Sequence, residues 1–205
     1  MRHERSGDMK ILLASHSERR RAILSMFGIP FRVAVPEVTE AYTGFPEPDE
    51  LVMGLACRKA RAARALVRPG ECIIAADTVV VRGGAVLGKP ADRADAFRML
   101  RLLSGSRHQV YTGLAVLCQD CLRLASRKTD VYFRELSEGE IAAYVETGEP
   151  LDKAGGYGIQ ERGAVFVDRI EGDYFNVVGL PVSLLHEMLL ADFGLNLLAP
   201  GEAKF

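Results

Sequence analysis

Between Cys72 and Val81 the chain is apolar apart from Asp77 and Thr78. A run of this length, rich in β-branched residues and followed by Gly83-Gly84, reads as a strand buried on both faces, the central strand of an α/β protein. The single carboxylate is out of place in it. Burying an unpaired charge costs several kcal/mol even after relaxation, so Asp77 must meet a cation, a metal or water in a cleft. A carboxylate that caps a turn or pairs with a core arginine would satisfy the same requirement.

Cations that could answer it are dispersed along the chain. Lys10 to Ala14 reads as a strand, and Ser15-His16-Ser17 turns into a helix that runs to about Phe27 and stops at Gly28, with Ser17 as N-cap. Arg19, Arg20 and Arg21 then fall in the first turn, where the helix dipole disfavours cations; an anion would remove the conflict. Phe31 to Val35 is a second strand. It leads to Glu37 and Glu40, which on extended chain point to opposite sides, so that only one faces a given cleft. A helix over Asp49 to about Val67 carries an apolar stripe of Leu51, Val52, Leu55, Ala62, Ala63 and Leu66 with Lys59 inside it, a lysine that must snorkel out or reach a buried anion.

After the Asp77 strand a short return, Ala85 to Pro90, holds Lys89 in a constrained loop. Asp92 caps a helix, Gln109 to Leu117 and Leu122 to Phe133 form a hairpin, and Ser137 with Glu140 makes a capping box. The segment 152–160 has three glycines in four residues, the signature of close backbone approach, with Tyr157 available for stacking and Gln160 for amide hydrogen bonds. Ala164 to Ile170 is a further strand, and Pro181 opens a final helix to about Leu190.

The 205 residues, 48% of them hydrophobic, suffice for one core. We expect a polar tail over 1–8 and a single two-lobed domain over 9–205. A net charge of -1 provides no global positive field for nucleic acid, so any anion site is local. No stretch approaches the ~20 apolar residues of a membrane span and the start has no apolar leader core, so the expectation is a cytoplasmic protein without membrane contact. Cys57, Cys72, Cys118 and Cys121 read as ordinary reduced thiols, the Cys118/Cys121 pair being placed at a hairpin turn rather than at a helix start.

Four stretches taken together, Ser15 to Arg20, Ala75 to Thr78, Leu87 to Pro90 and Asp152 to Gln160, resemble the Maf family of nucleoside triphosphate pyrophosphatases in order and spacing over Lys10 to about Leu190. The resemblance implies an elongated mixed sheet with flanking helices and two lobes around a central cleft, similar to the inosine triphosphate pyrophosphatases. It implies a homodimer, a divalent cation such as Mg²⁺ or Mn²⁺, and hydrolysis of dTTP and UTP to the monophosphate and pyrophosphate. Carried over onto this chain, the catalytic acid falls on Asp77 and the specificity positions on Arg19, Thr78 and Gln160. Phosphate-binding residues fall on Arg19, Arg20, Lys59 and Lys89, further substrate contacts on Ser15 and Lys153, and metal ligands on Asp77 and Glu40. Glu18 stands where the family commonly has proline. Two alternative functions are a regulator of cell division that binds nucleotide without hydrolysing it, and a pyrophosphatase preferring modified nucleotides.

Overall fold

A computed structural model describes residues 10–39 and 47–198. Its elements are β1 (Lys10–Ala14), α1 (Glu18–Ser25), β2 (Phe31–Ala34), α2 (Pro48–Ala63), β3 (Glu71–Arg82), β4 (Ala85–Leu87), α3 (Arg93–Leu103), β5 (Arg107–Cys118), β6 (Cys121–Phe133), α4 (Glu138–Glu146), β7 (Val167–Glu171), α5 (Tyr174–Val178) and α6 (Val182–Phe193). They form the expected α/β fold, a mixed sheet of order β2-β1-β3-β5-β6-β7 with β4 on β3. β1 runs parallel to β2 and β3, and the remaining pairings are antiparallel.

Both faces of the central strands are covered, and alternation along them sorts the side chains. Ile11, Leu13, Ile74 and Ala76 join Leu185 and Leu189 of α6 on one face; Leu12, Ala14, Ile73 and Ala75 meet Ala56, Ala60 and Ala63 of α2 on the other. The apolar face of α2 is built from Leu51, Val52, Leu55 and Ala63, as expected, together with Ala56 and Ala60, while Ala62 and Leu66, expected in the stripe, are exposed. Gly113 of β5 lets α2 lie this close: a Cβ there would come within 2.3–2.5 Å of the Val52 and Met53 backbone.

β3 is longer than its neighbours on one edge. β1 pairs with it over Glu71–Ile74 and β4 over Val80–Arg82, whereas β5 pairs with it continuously from Cys72 to Val81. Among the described residues, 75–79 thus have no strand beside them on the β1 side, and Asp77 and Thr78 fall in that gap.

Three expectations are corrected. Cys72 and Cys118 are joined as a disulfide, not reduced: they stand opposite each other in β3 and β5 with Cα atoms 4.4 Å apart, the close approach of a non-hydrogen-bonded antiparallel pair. Cys57 and Cys121 are free. The segment expected as a strand from Ala164 begins as a 3₁₀ turn, Arg162–Phe166, in which Gly163 has no room for a side chain: a Cβ there would come within 2.8–3.0 Å of the Tyr144 hydroxyl and the Gly158 backbone. The short helix α5 was not expected; Asp173 caps it, its Oδ1 accepting from the Asn176 N-H at 3.2 Å.

Candidate active site

The gap in β3 opens into a cavity of about 910 Å³ beyond the end of β1, lined from above by the start of α1 and from below by the 152–160 turn. Alternation sends the Asp77 side chain to the α2 face, between Ala75 and Val79, and Thr78 to the opposite face. Both line the cavity because β3 lacks a neighbour at this point.

Lys59 stands two turns of α2 beyond Val52, the residue seated on Gly113, and this places its ammonium on Asp77 Oδ1. The pair is largely out of solvent, with 17% and 11% of the two side chains exposed. The lysine inside the apolar stripe and the carboxylate inside the apolar strand thus explain each other. Asp77 Oδ2 has no hydrogen-bond partner among the described residues.

At the head of α1, Ser17 caps the helix, its Oγ accepting from the Arg20 N-H at 3.3 Å. The three arginines diverge. Arg19 reaches over the cleft mouth to Asp152 at 3.6 Å and Glu161 at 3.7 Å. Arg20 turns inward and donates from Nε to the Gly179 carbonyl at 2.7 Å, from NH2 to Thr78 Oγ1 at 3.0 Å and from NH1 to Ser15 Oγ at 3.4 Å. Arg21 pairs outward with Glu18 at 2.5 Å, which directs the charge of Glu18 along the helix surface. Protein oxygens therefore meet part of the helix-start charge for which an anion was expected.

Lys89 is exposed at the mouth, on a loop held by the Gly155 N-H to Gly88 carbonyl bond of 2.9 Å. Lys153 is buried; its Nζ donates to the Glu149 carbonyl at 2.9 Å and to Asp152 Oδ1 at 2.8 Å. Burial pushes the Asp152 carboxyl up, but the Lys153 hydrogen bond and the charges of Lys153 and Arg19 outweigh it and hold the group below its usual range. Gln160 is exposed on the cleft wall. Glu37 also lines the cleft, and Glu40 lies outside the described residues.

The turn carrying Gln160 is fastened from below. Glu149 accepts from the Tyr144 hydroxyl at 2.7 Å and from the Arg162 and Gly163 N-H groups at 3.2 and 3.3 Å. Tyr157, expected to stack on a ligand, is mostly a core residue. Its ring packs edge-on against His108 and Phe133, and its hydroxyl meets His108 Nε2 at 2.8 Å. Burial, with Arg82 nearby, lowers the His108 pKa to about 3, so the imidazole is neutral. Glu149, His108, Thr112 and Asn176 had no part in the sequence reading. For His108 and Thr112 the only signal was a polar residue within the otherwise apolar strand β5; Glu149, in a 3₁₀ turn, and Asn176, in α5, gave none.

This is an α/β protein with a cleft of about 910 Å³ in which Arg19, Arg20, Lys59 and Lys89 surround one buried acid, Asp77. The chain belongs to the family described as Maf-like protein, whose model matches residues 10–191. A dTTP/UTP pyrophosphatase of Symbiobacterium thermophilum is 51% identical over 192 residues, covering 94% of this chain and 98% of its own. One from Bacillus cereus is 46% identical over 185 residues, covering 90% and 91%. Among solved structures, the Staphylococcus aureus Ham1 protein aligns over 60% of this chain and 71% of its own, at 15% identity and a TM-score of 0.44.

Proposed function

We propose that the chain hydrolyses nucleoside triphosphates, dTTP and UTP above others, to the monophosphate and pyrophosphate. The observation that carries this reading is the Lys59–Asp77 pair in the strand gap, an acid and a cation brought to the wall of a cavity that Arg19 and Lys89 also face. Relatives at 46–51% identity bear the name of that activity.

In this mechanism Arg19, Lys59 and Lys89 meet the triphosphate oxygens. Arg20 acts from behind, holding Ser15, Thr78 and Gly179 in place. Asp77, oriented through Oδ1 by Lys59, takes the proton of a water through Oδ2. The water oxygen bonds to the α-phosphorus, the bond to the bridging oxygen breaks, and pyrophosphate leaves carrying that electron pair. Thr78 and Gln160 contact the base.

A divalent cation fits this donor set. Magnesium commonly takes one or two carboxylates and completes its shell with phosphate and water, and Asp77 Oδ1 keeps a second lone pair beside the one that meets Lys59, leaving Oδ2 for the water. Asp77 and Glu40 would hold it, and it would neutralise charge developing on the phosphates. A homodimer belongs to the same reading and rests on the family resemblance; cytoplasmic residence is the expectation drawn from the sequence.

The test is a panel of canonical and modified triphosphates with Mg²⁺, scored for pyrophosphate against orthophosphate. The reading expects pyrophosphate as product, fastest from UTP and dTTP, and a loss of about 10²–10⁴-fold in kcat for Asp77→Asn with UTP binding retained. Orthophosphate as sole product would contradict it. Tight binding without turnover by the unmodified protein would favour the regulator instead.

A further inference from the structure

Beneath Thr78 lies a buried chain of hydroxyl groups whose direction can be worked out. Thr78 and Thr112 are opposed in β3 and β5, and their Oγ1 atoms are 2.9 Å apart, a contact in which either could donate. The neighbours at each end decide which does. Thr112 Oγ1 is also 2.9 Å from the Asn176 carbonyl oxygen, which can only accept, so the single proton of Thr112 is committed there. Thr78 must then be the donor to Thr112. At the other end Arg20, which can only donate, gives a hydrogen to Thr78 Oγ1 at 3.0 Å. With its proton spent on Thr112 and one lone pair taken by Arg20, Thr78 has a single lone pair left. Toward a ligand in the cleft it can accept and cannot donate.

We propose that Thr112, through the Asn176 carbonyl, is a positioning residue that sets this polarity, so that the cleft selects bases presenting a ring N-H over those presenting a bare ring nitrogen. The inference rests on the reading in which the base meets Thr78 and Gln160. Uracil and thymine carry N3-H; cytosine, of the same size, has an unprotonated N3 in the same place. Gln160 cannot make this distinction, because a carboxamide on an exposed side chain presents donor or acceptor by rotating through a half turn. A hydroxyl pinned at both ends has no such freedom. A lone pair facing a lone pair leaves two acceptors unsatisfied, a penalty that corresponds to about 10- to 100-fold in kcat/KM.

The experiment compares kcat/KM for UTP, CTP and N3-methyl-UTP in the wild-type protein, Thr112→Val and Thr112→Ser. The wild type is expected to favour UTP over both others by at least about tenfold. Thr112→Val, which frees the Thr78 proton to point into the cleft, should raise the CTP-to-UTP ratio about tenfold, and Thr112→Ser should keep the wild-type ratio. A merely structural role for Thr112 would lower all substrates together and leave the ratio unchanged, which would overturn the inference. The wild-type comparison does not depend on any variant folding: pyrophosphate released from UTP and N3-methyl-UTP with equal efficiency also overturns it and leaves the pyrophosphatase reading standing. No pyrophosphate from any triphosphate overturns both.

Discussion

His108 sits fully buried behind the turn that carries Gln160, where its ring and that of Tyr157 hold each other against Phe133. Its pKa of about 3 in the fold against 6.5 for the free side chain makes the unfolded chain bind the extra proton between those values. Stability is therefore complete above pH 6.5 and is lost as pH falls toward 3, with a slope of up to about 1.4 kcal/mol per unit. Glu71, held at about 2 chiefly by its hydrogen bond from Arg32, adds its own acid sensitivity only below its ordinary value of 4.5. Denaturant unfolding of the wild type and His108→Phe between pH 7 and 4.5 should thus diverge, the wild type falling more steeply; parallel curves would exclude this role. At this scale the sequence was legible where a charge interrupts an apolar pattern, as at Asp77 and Lys59. Thr112 and His108 were not, because a neutral polar residue in a buried strand acquires meaning only from its tertiary partners, and Asn176, on the short helix α5, likewise shows its role only through Val110 and Thr129.

Among the elements, α2 and β3 between them make the site. α2 places Lys59, and it can do so because β5 offers Gly113 beneath Val52. Gly113→Ala forces a Cβ into backbone that cannot move aside, and we expect a loss of about 2–3 kcal/mol with the helix displaced outward. Activity of the fraction that remains folded should also fall, by roughly 10²-fold, as Lys59 leaves Asp77. Thermal melting and UTP turnover measured on one preparation would check this, and a stable variant with full activity would contradict it. The strands and caps were readable from pattern: Ser17, Asp92 and Ser137 all cap their helices as expected. What pattern does not carry is strand order. The pairing of β3 with β5 brings together Thr78 and Thr112, and Cys72 and Cys118 across 46 residues, and the expectation of reduced thiols failed for want of it. Likewise the gap at 75–79 follows from β1 and β4 both being short, a property of the assembled sheet.

In the molecule as a whole, the cleft lies where the sheet changes from parallel to antiparallel pairing, with β1 and α1 on one side and the 152–160 turn on the other. Such a position opens two faces of one strand to one cavity, Asp77 and Thr78 reaching it from adjacent residues. The proposed mechanism requires water to attack the α-phosphorus, beside Asp77. Hydrolysis of UTP in ¹⁸O-enriched water with Mg²⁺, followed by mass spectrometry of both products, tests it directly. The account predicts one heavy oxygen in UMP and none in pyrophosphate; label in the pyrophosphate would place the attack at the β-phosphorus and contradict it.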